Sequence, residues 1–225
     1  MIPIKNRKKT LEATVEEMRN FSFTYLEKFS PSKQQLKTYL LKKYLKSSNP
    51  KNKKQDLVDL IDIVLLDLEK TKFISDKFYS DTKAKNLIQK GSSINKIRNY
   101  LISKGINNKY IKETINKINE NNENQDFFSA IKICKKKRIG PARPDDNRPL
   151  FYKKDISILA RNGFDFETSK KVMDLDKNEY LKIINLLWFF IFILLFKVVL
   201  NFVFNIVFNK YKNNQTKNTN RNNNY

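Results

Sequence analysis

Histidine is absent from this 225-residue chain, and cysteine occurs once, at Cys134. Without an imidazole there is no Ser-His triad, no histidine base and no histidine metal ligand. A lone thiol excludes an intrachain disulfide and a cysteine-built zinc cluster, and it suits a reducing cytosol. Glycine is nearly as scarce. Gly91, Gly105, Gly140 and Gly163 are spread too widely for a phosphate-cradling loop or a dinucleotide-binding turn. The opening MIPIKNRKK lacks the apolar run of a secretory signal. Most enzyme classes lose their chemistry here, and no catalytic residue, cofactor or metal site is expected.

Positive charge is in surplus. Lys and Arg number 45 against 23 Asp and Glu, a formal charge of +22. Such an excess favours anionic partners, either nucleic acid or an acidic membrane surface. Lys, Asn, Ile and Phe are abundant while Ala, Gly and Arg are scarce, as an AT-rich coding sequence would produce. Charge alone therefore does not identify the partner.

Apolar spacing predicts helices almost throughout. Leu11, Val15, Met18, Phe21 and Tyr25 fall on one face of a segment ending near Phe29. Ser30-Pro31-Ser32 breaks it and caps a second helix, Lys33 to Leu45, striped by Leu36, Tyr39, Leu40 and Tyr44. A polar turn over 47–54 precedes a third, with Leu57, Leu60, Ile61, Val64 and Leu68 turned inward. Its carboxylates Asp56, Asp59, Asp62 and Asp67 fan round the outer face, which suits solvation better than a metal site.

The phrase then repeats. Residues 75–90 make a helix around Phe78, Tyr79, Leu87 and Ile88, Ser93 caps a second that Gly105 ends, and Ile111, Ile115 and Ile118 stripe a third. A weaker copy runs from 126 to 175. Leu101, Gly105, Ile106, Ile111 and Ile115 align with Leu159, Gly163, Phe164, Ser169 and Met173. Ser32, Leu36 and Leu40 align with Ser93, Ile97 and Leu101, while Tyr44 stands where the later copies have glycine. The expected fold is all-α, an elongated, curved stack of three-helix repeats with a separate hydrophobic C-terminal helix. The expected boundaries are a basic N-terminus over 1–10, repeats over 11–70 and 71–120, and a linker with a third repeat over 121–180. A hydrophobic helix over 181–209 and a disordered Asn/Lys-rich tail over 210–225 complete the chain.

Thr71 to Ile115 resembles the central repeat of the RecX family, in which an aliphatic or aromatic residue precedes Asp, a basic residue and Phe. The matching positions are Ile74, Asp76, Lys77, Phe78, Lys90, Gly91, Lys104, Gly105 and Ile106. Lys136 to Pro149 is similar to a linker of some branches, and Ile158 to Leu175 to the family's closing motif. The likeness covers roughly 11–176 and departs at Tyr44, at the KSSNPKNKKQ insertion and at Asn162, where the second repeat has Lys104. It implies a monomeric, cytoplasmic, non-enzymatic regulator that lies on the RecA filament on DNA, bridges protomers, and damps strand exchange, ATP hydrolysis and coprotease activity in DNA repair.

A basic groove-facing side would draw on the middle helices and their ends: Lys42, Lys43, Lys96, Arg98, Lys104, Lys153, Lys154 and Arg161. Lys136, Lys137, Arg138, Arg143 and Arg148 form a second cluster on the linker. For any one of these lysines, plain solvated surface is the favoured reading. The arginines stand out because their planar fork grips carboxylate or phosphate at two points. Tyr100 and Tyr152 are candidates for stacking on bases, or for the core, and Cys134 reads as a small buried hydrophobe.

The tail lies outside the family pattern. Ile183 to Phe208 is a 26-residue stretch whose polar members are Asn185, Lys197, Asn201 and Asn205. About 20 apolar residues span a bilayer. The four-residue recurrence of Lys197, Asn201, Asn205 and Asn209 suits a helix lying in the membrane interface or packing against another helix. Basic residues flank both ends, so no orientation follows. Membrane contact through 183–208, an incidental tail, and a membrane-tethered protein that binds DNA or anionic lipid independently of RecA all stay open. A carboxylate nuclease built on residues such as Asp145 and Asp146 is the weakest alternative.

Overall fold

In a computed structural model, which describes residues 11–47, 53–187 and 189, nine helices form three successive groups of three. They are α1 (Val15–Leu26), α2 (Lys33–Ser47), α3 (Lys54–Lys70), α4 (Asp76–Gln89), α5 (Ile94–Ser103), α6 (Asn108–Asn121), α7 (Gln125–Lys137), α8 (Arg148–Arg161) and α9 (Phe166–Met173). Two 3-10 turns, Gly140–Ala142 and Asp145–Asn147, join α7 to α8. No strand occurs among the described residues. The chain divides after Met173 into two compact units. In the second, a helix over 177–187 opens with Asp176 accepting from the Glu179 amide at 2.8 Å. Most of the apolar tail lies outside the described residues, and among those described no helix is long and apolar enough to cross a membrane.

The starts of the helices follow from short polar side chains. Thr14, Ser75, Ser93 and Asn107 each accept a backbone amide from the first turn of the helix that follows. Such a cap satisfies a donor that the helix itself leaves without an acceptor. Gly91, Gly105 and Gly163 end α4, α5 and α8 with positive φ, the left-handed step that glycine takes without strain.

Helices α1, α2 and α3 close on a core of Met18, Leu36, Leu40, Tyr44, Leu57, Ile61, Val64, Leu65 and Leu68. Helices α4, α5 and α6 close on a second, around Tyr79, Ala84, Ile97, Leu101, Ile106, Ile111 and Ile115. In the third group α9 packs on both α7 and α8, and Ile131, Cys134, Leu159, Val172 and Met173 are buried there. Burial pushes the Cys134 thiol up to about 12, with the Asp155 charge adding to it. The outer carboxylates of α3 meet cations of the neighbouring helices, Asp62 with Lys37 at 2.6 Å and Asp67 with Arg19 at 2.9 Å.

The packing departs from the expected stripe at several points. Phe78, placed among the apolar residues of its helix, is 69% exposed, and of the α1 stripe Met18 is the fully buried member, beside Ser22. Tyr44 carries α2 onward where the later middle helices stop at glycine, and its ring fills the core of the first group.

Adjacent groups are joined by one interlock, used twice. Ser32 Oγ caps α2 by accepting from the Gln35 amide and donates across to the Lys104 carbonyl at 2.7 Å. Ser93 Oγ caps α5 by accepting from the Lys96 amide and donates to the Asn162 carbonyl at 2.8 Å. Both hydroxyls are wholly buried. Beside each, a carboxylate of the next group accepts from the start of the middle helix. The Lys33 amide donates to Asp76, and the Ile94 amide to Asp126, both at 2.8 Å.

Candidate functional site

The first interlock sets the end of α5 against the side of α2. There Lys42 of the first group and Lys104 of the second line one concavity of about 380 Å³ with Tyr25, Gln34, Gln35, Thr38, Tyr39 and Ser103. Its cations are two lysines, and no carboxylate is among its lining residues. Tyr25 and Tyr39 stack at 4.1 Å between ring centroids, 18° from parallel, and make a stiff wall. Neighbouring cations are steadied by rings in the same way. Lys43 Nζ sits 3.6 Å from the Phe21 ring centre and Lys104 Nζ 5.2 Å from that of Tyr100. A cation over a ring keeps its charge available to a partner while losing part of its motion.

The other candidates on the middle helices divide. Lys96 donates to the Asn162 side chain at 3.2 Å, so it lies across the second interlock. Arg98 is exposed on α5. On α8, Lys153 is exposed, Lys154 stands 5.8 Å from the Phe151 ring centre, and Arg161 Nε donates to the Ser157 carbonyl one turn back. Of the proposed stacking residues, Tyr100 is half-buried with its hydroxyl 3.4 Å from that of Tyr79, and Tyr152 is half-buried on α8.

The linker cations have different occupations. Arg143 grips the buried carboxylate of Asp155 through Nε and Nη2, at 2.6 and 2.9 Å, while its guanidinium lies over the Phe151 ring. Arg148 donates to the Met173 carbonyl at 2.7 Å and pairs with Asp145 at 3.7 Å. Both guanidinia brace the third group. Lys136, Lys137 and Arg138 are exposed, Arg138 with the left-handed backbone that ends α7.

One surface feature had no sequence signal. A concavity of about 740 Å³ opens between the end of α1 and the start of α4, lined by Phe23, Leu26, Phe29, Pro31, Phe73 and Phe78 among others. Phe29, Phe73 and Phe78 are each more than half exposed there. Among the described residues, no group of three or more His, Cys, Asp or Glu side chains is arranged to hold a metal.

No protein-family model matches the chain. It is 26% identical over 163 residues to Regulatory protein RecX of Myxococcus xanthus (strain DK1622), an alignment covering 70% of this chain and 84% of that protein. A solved structure titled as that of regulatory protein RecX covers 72% of this chain and 74% of its own, at a TM-score of 0.50 and 16% identity. The second match shows the shared fold. Together they support a RecX-family assignment. At the Lys42–Lys104 concavity two of the helix groups jointly offer cations.

Proposed function

We propose that this RecX-type chain binds the RecA filament on DNA and inhibits recombinase, ATPase and coprotease activities, with no catalytic step of its own. The observation that carries the reading is the concavity shared by Lys42 and Lys104, cationic, free of carboxylate lining and built from two adjacent groups. A filament repeats its acidic and phosphate groups along its length. A ligand that touches several of them at once gains from effective concentration. Its affinity falls steeply as salt rises. The exposed cations of α2, α5 and α8 supply the remaining contacts in this reading.

The test is RecA-catalysed ATP hydrolysis on single-stranded DNA, titrated with the full chain in mild detergent. Inhibition well below one molecule per RecA protomer supports the reading, and an unchanged rate at equimolar protein sinks it. Recovery of the chain on duplex DNA or anionic vesicles, with equal strength whether or not RecA is present, would favour the RecA-independent alternative.

A further inference from the structure

The doubled interlock carries a consequence for how far apart the helix groups are held. At each junction a buried serine hydroxyl bonds a turn carbonyl of the next group, Ser32 to Lys104 and Ser93 to Asn162. At each, a half-buried carboxylate, Asp76 or Asp126, accepts the first amide of a middle helix in the preceding group. At each, a positive-φ glycine stands against the start of the middle helix of the preceding group. A Cβ on Gly105 would lie 2.5 Å from Gln34 Cβ, and one on Gly163 2.5 Å from Ser93 Oγ. The polar contacts at the two junctions agree to within 0.1 Å. Apolar packing is non-directional and tolerates sliding. A hydrogen bond loses most of its strength once distance and angle drift. The polar contacts are therefore what define the register.

We infer that Asp76 and Asp126 are positioning residues that set the spacing between successive helix groups, and with it the spacing of the cations presented to the filament. This rests on the filament reading above. Each carboxylate belongs to one group and holds the helix start of the group before it. A change in either moves one group against the next without altering any residue of the concavity. The conservative variant Asp→Asn keeps an oxygen acceptor for the amide, and Asp→Ala removes it.

The experiment uses the full chain and two readouts. Spin labels at exposed positions, Lys46→Cys with Asn116→Cys across the first junction and Asn99→Cys with Lys170→Cys across the second, report the inter-group distance. Cys134 is buried and stays unlabelled. The half-inhibitory concentration in the RecA ATPase assay reports function. Asp76→Ala should shift and broaden the first distance distribution, Asp126→Ala the second, and each should raise the half-inhibitory concentration roughly tenfold or more. The Asn variants should return both readouts close to wild type. Should an Ala variant lose helicity, Asp76→Glu or Asp126→Glu takes its place, keeping the acceptor on an arm one methylene longer. Unchanged distances in the Ala and Glu variants overturn the inference, as do shifted distances with unchanged inhibition. A wild-type chain that fails to inhibit RecA defeats the filament reading instead, and the distances then decide the positioning role alone.

Discussion

Arg143 meets Asp155 through two parallel hydrogen bonds, at 2.6 and 2.9 Å, and the carboxylate it holds has no solvent contact. The Gly140 amide adds a third bond at 2.8 Å. The pair ties the turn after α7 to the middle of α8. Removing one partner of a buried pair strands the other charge, at a cost of about 3–5 kcal/mol. Arg143→Ala is expected to lose stability on that scale in urea unfolding. The double variant Arg143→Ala, Asp155→Ala should lose less than the two single changes added together, because no buried charge is left alone.

Four carboxylates should divide into two classes on titration. Burial alone would raise Asp155, but the bonds from Arg143 and Gly140, with the nearby positive charges, outweigh it and hold the carboxyl below its usual value. At Asp81 the desolvation is likewise outweighed, by Lys117 and Thr114. Both contribute stability above the ordinary carboxylate range, and the contribution is lost as pH falls through their lowered values. Asp76 and Asp126 behave in the opposite sense. Burial raises both, only partly offset by the amides of Lys33 and Ile94, with Glu69 and Asp165 adding to the rise. Their folded form holds its proton longer, so their contribution is present at low pH and lost as pH rises through the raised values. Carbon-detected NMR titration should place Asp76 and Asp126 above, and Asp155 and Asp81 below, the values of the unfolded chain. All four titrating together would mean that burial at Asp76 and Asp126 does not outweigh their amide bonds.

Much of this fold is legible in the sequence because its helices are short and amphipathic, with Ser, Thr or Asn before them and glycine after. The expected second helix began at Lys33, as it does. Burial was harder to read. Phe78 lies in register with an apolar face but projects at the rim of a groove, and two serines are buried through hydrogen bonds, Ser22 to the Met18 carbonyl one turn back and Ser80 to the Thr114 hydroxyl on α6. The interlocks were hidden for a different reason. Ser32 and Ser93 announce themselves as caps, but nothing in local spacing says that their hydroxyls also reach carbonyls 72 and 69 residues away. Asp155, one charge on a charged helix, gives no hint that Arg143 will be drawn in to hold it. The pairing of Lys42 with Lys104 depends on the same long-range contact and was equally out of reach.

Tyr44 tests how the first group differs from the others. Its ring is buried, Phe21 meets it edge-on at 6.3 Å, and its hydroxyl donates to Glu17 at 3.1 Å. Burial, with Glu17 beside it, pushes the phenol above the usual tyrosine range. Removing the ring leaves a cavity that the group cannot fill, so Tyr44→Ala should cost about 3–5 kcal/mol. Tyr44→Phe removes a single bond to a partly solvated acceptor and should cost about 1 kcal/mol. Thermal melts of the two variants separate packing from hydrogen bonding. Equal losses would mean that the hydroxyl, not the ring, holds the helix.

The concavity itself is tested by charge reversal. Lys42 and Lys104 line it, whereas Lys109 is exposed at the start of α6 and is not among its lining residues. Lys42→Glu, Lys104→Glu and Lys109→Glu change net charge equally. If attraction to the filament were a matter of overall charge, the three would weaken inhibition alike. If the concavity is the contact, Lys42→Glu and Lys104→Glu should each raise the half-inhibitory concentration about tenfold, a loss of about 1.4 kcal/mol, while Lys109→Glu shifts it much less. The loss at the first two positions should shrink as salt rises, since a charge at a solvent-exposed rim acts through a field that ions screen. Lys42→Glu and Lys109→Glu should not change unfolding stability by more than about 0.5 kcal/mol, whereas Lys104→Glu also gives up the contact with the Tyr100 ring at the end of α5 and is read beside its own unfolding curve. Equal effects at all three positions would remove the concavity from the mechanism and leave net charge as the cause.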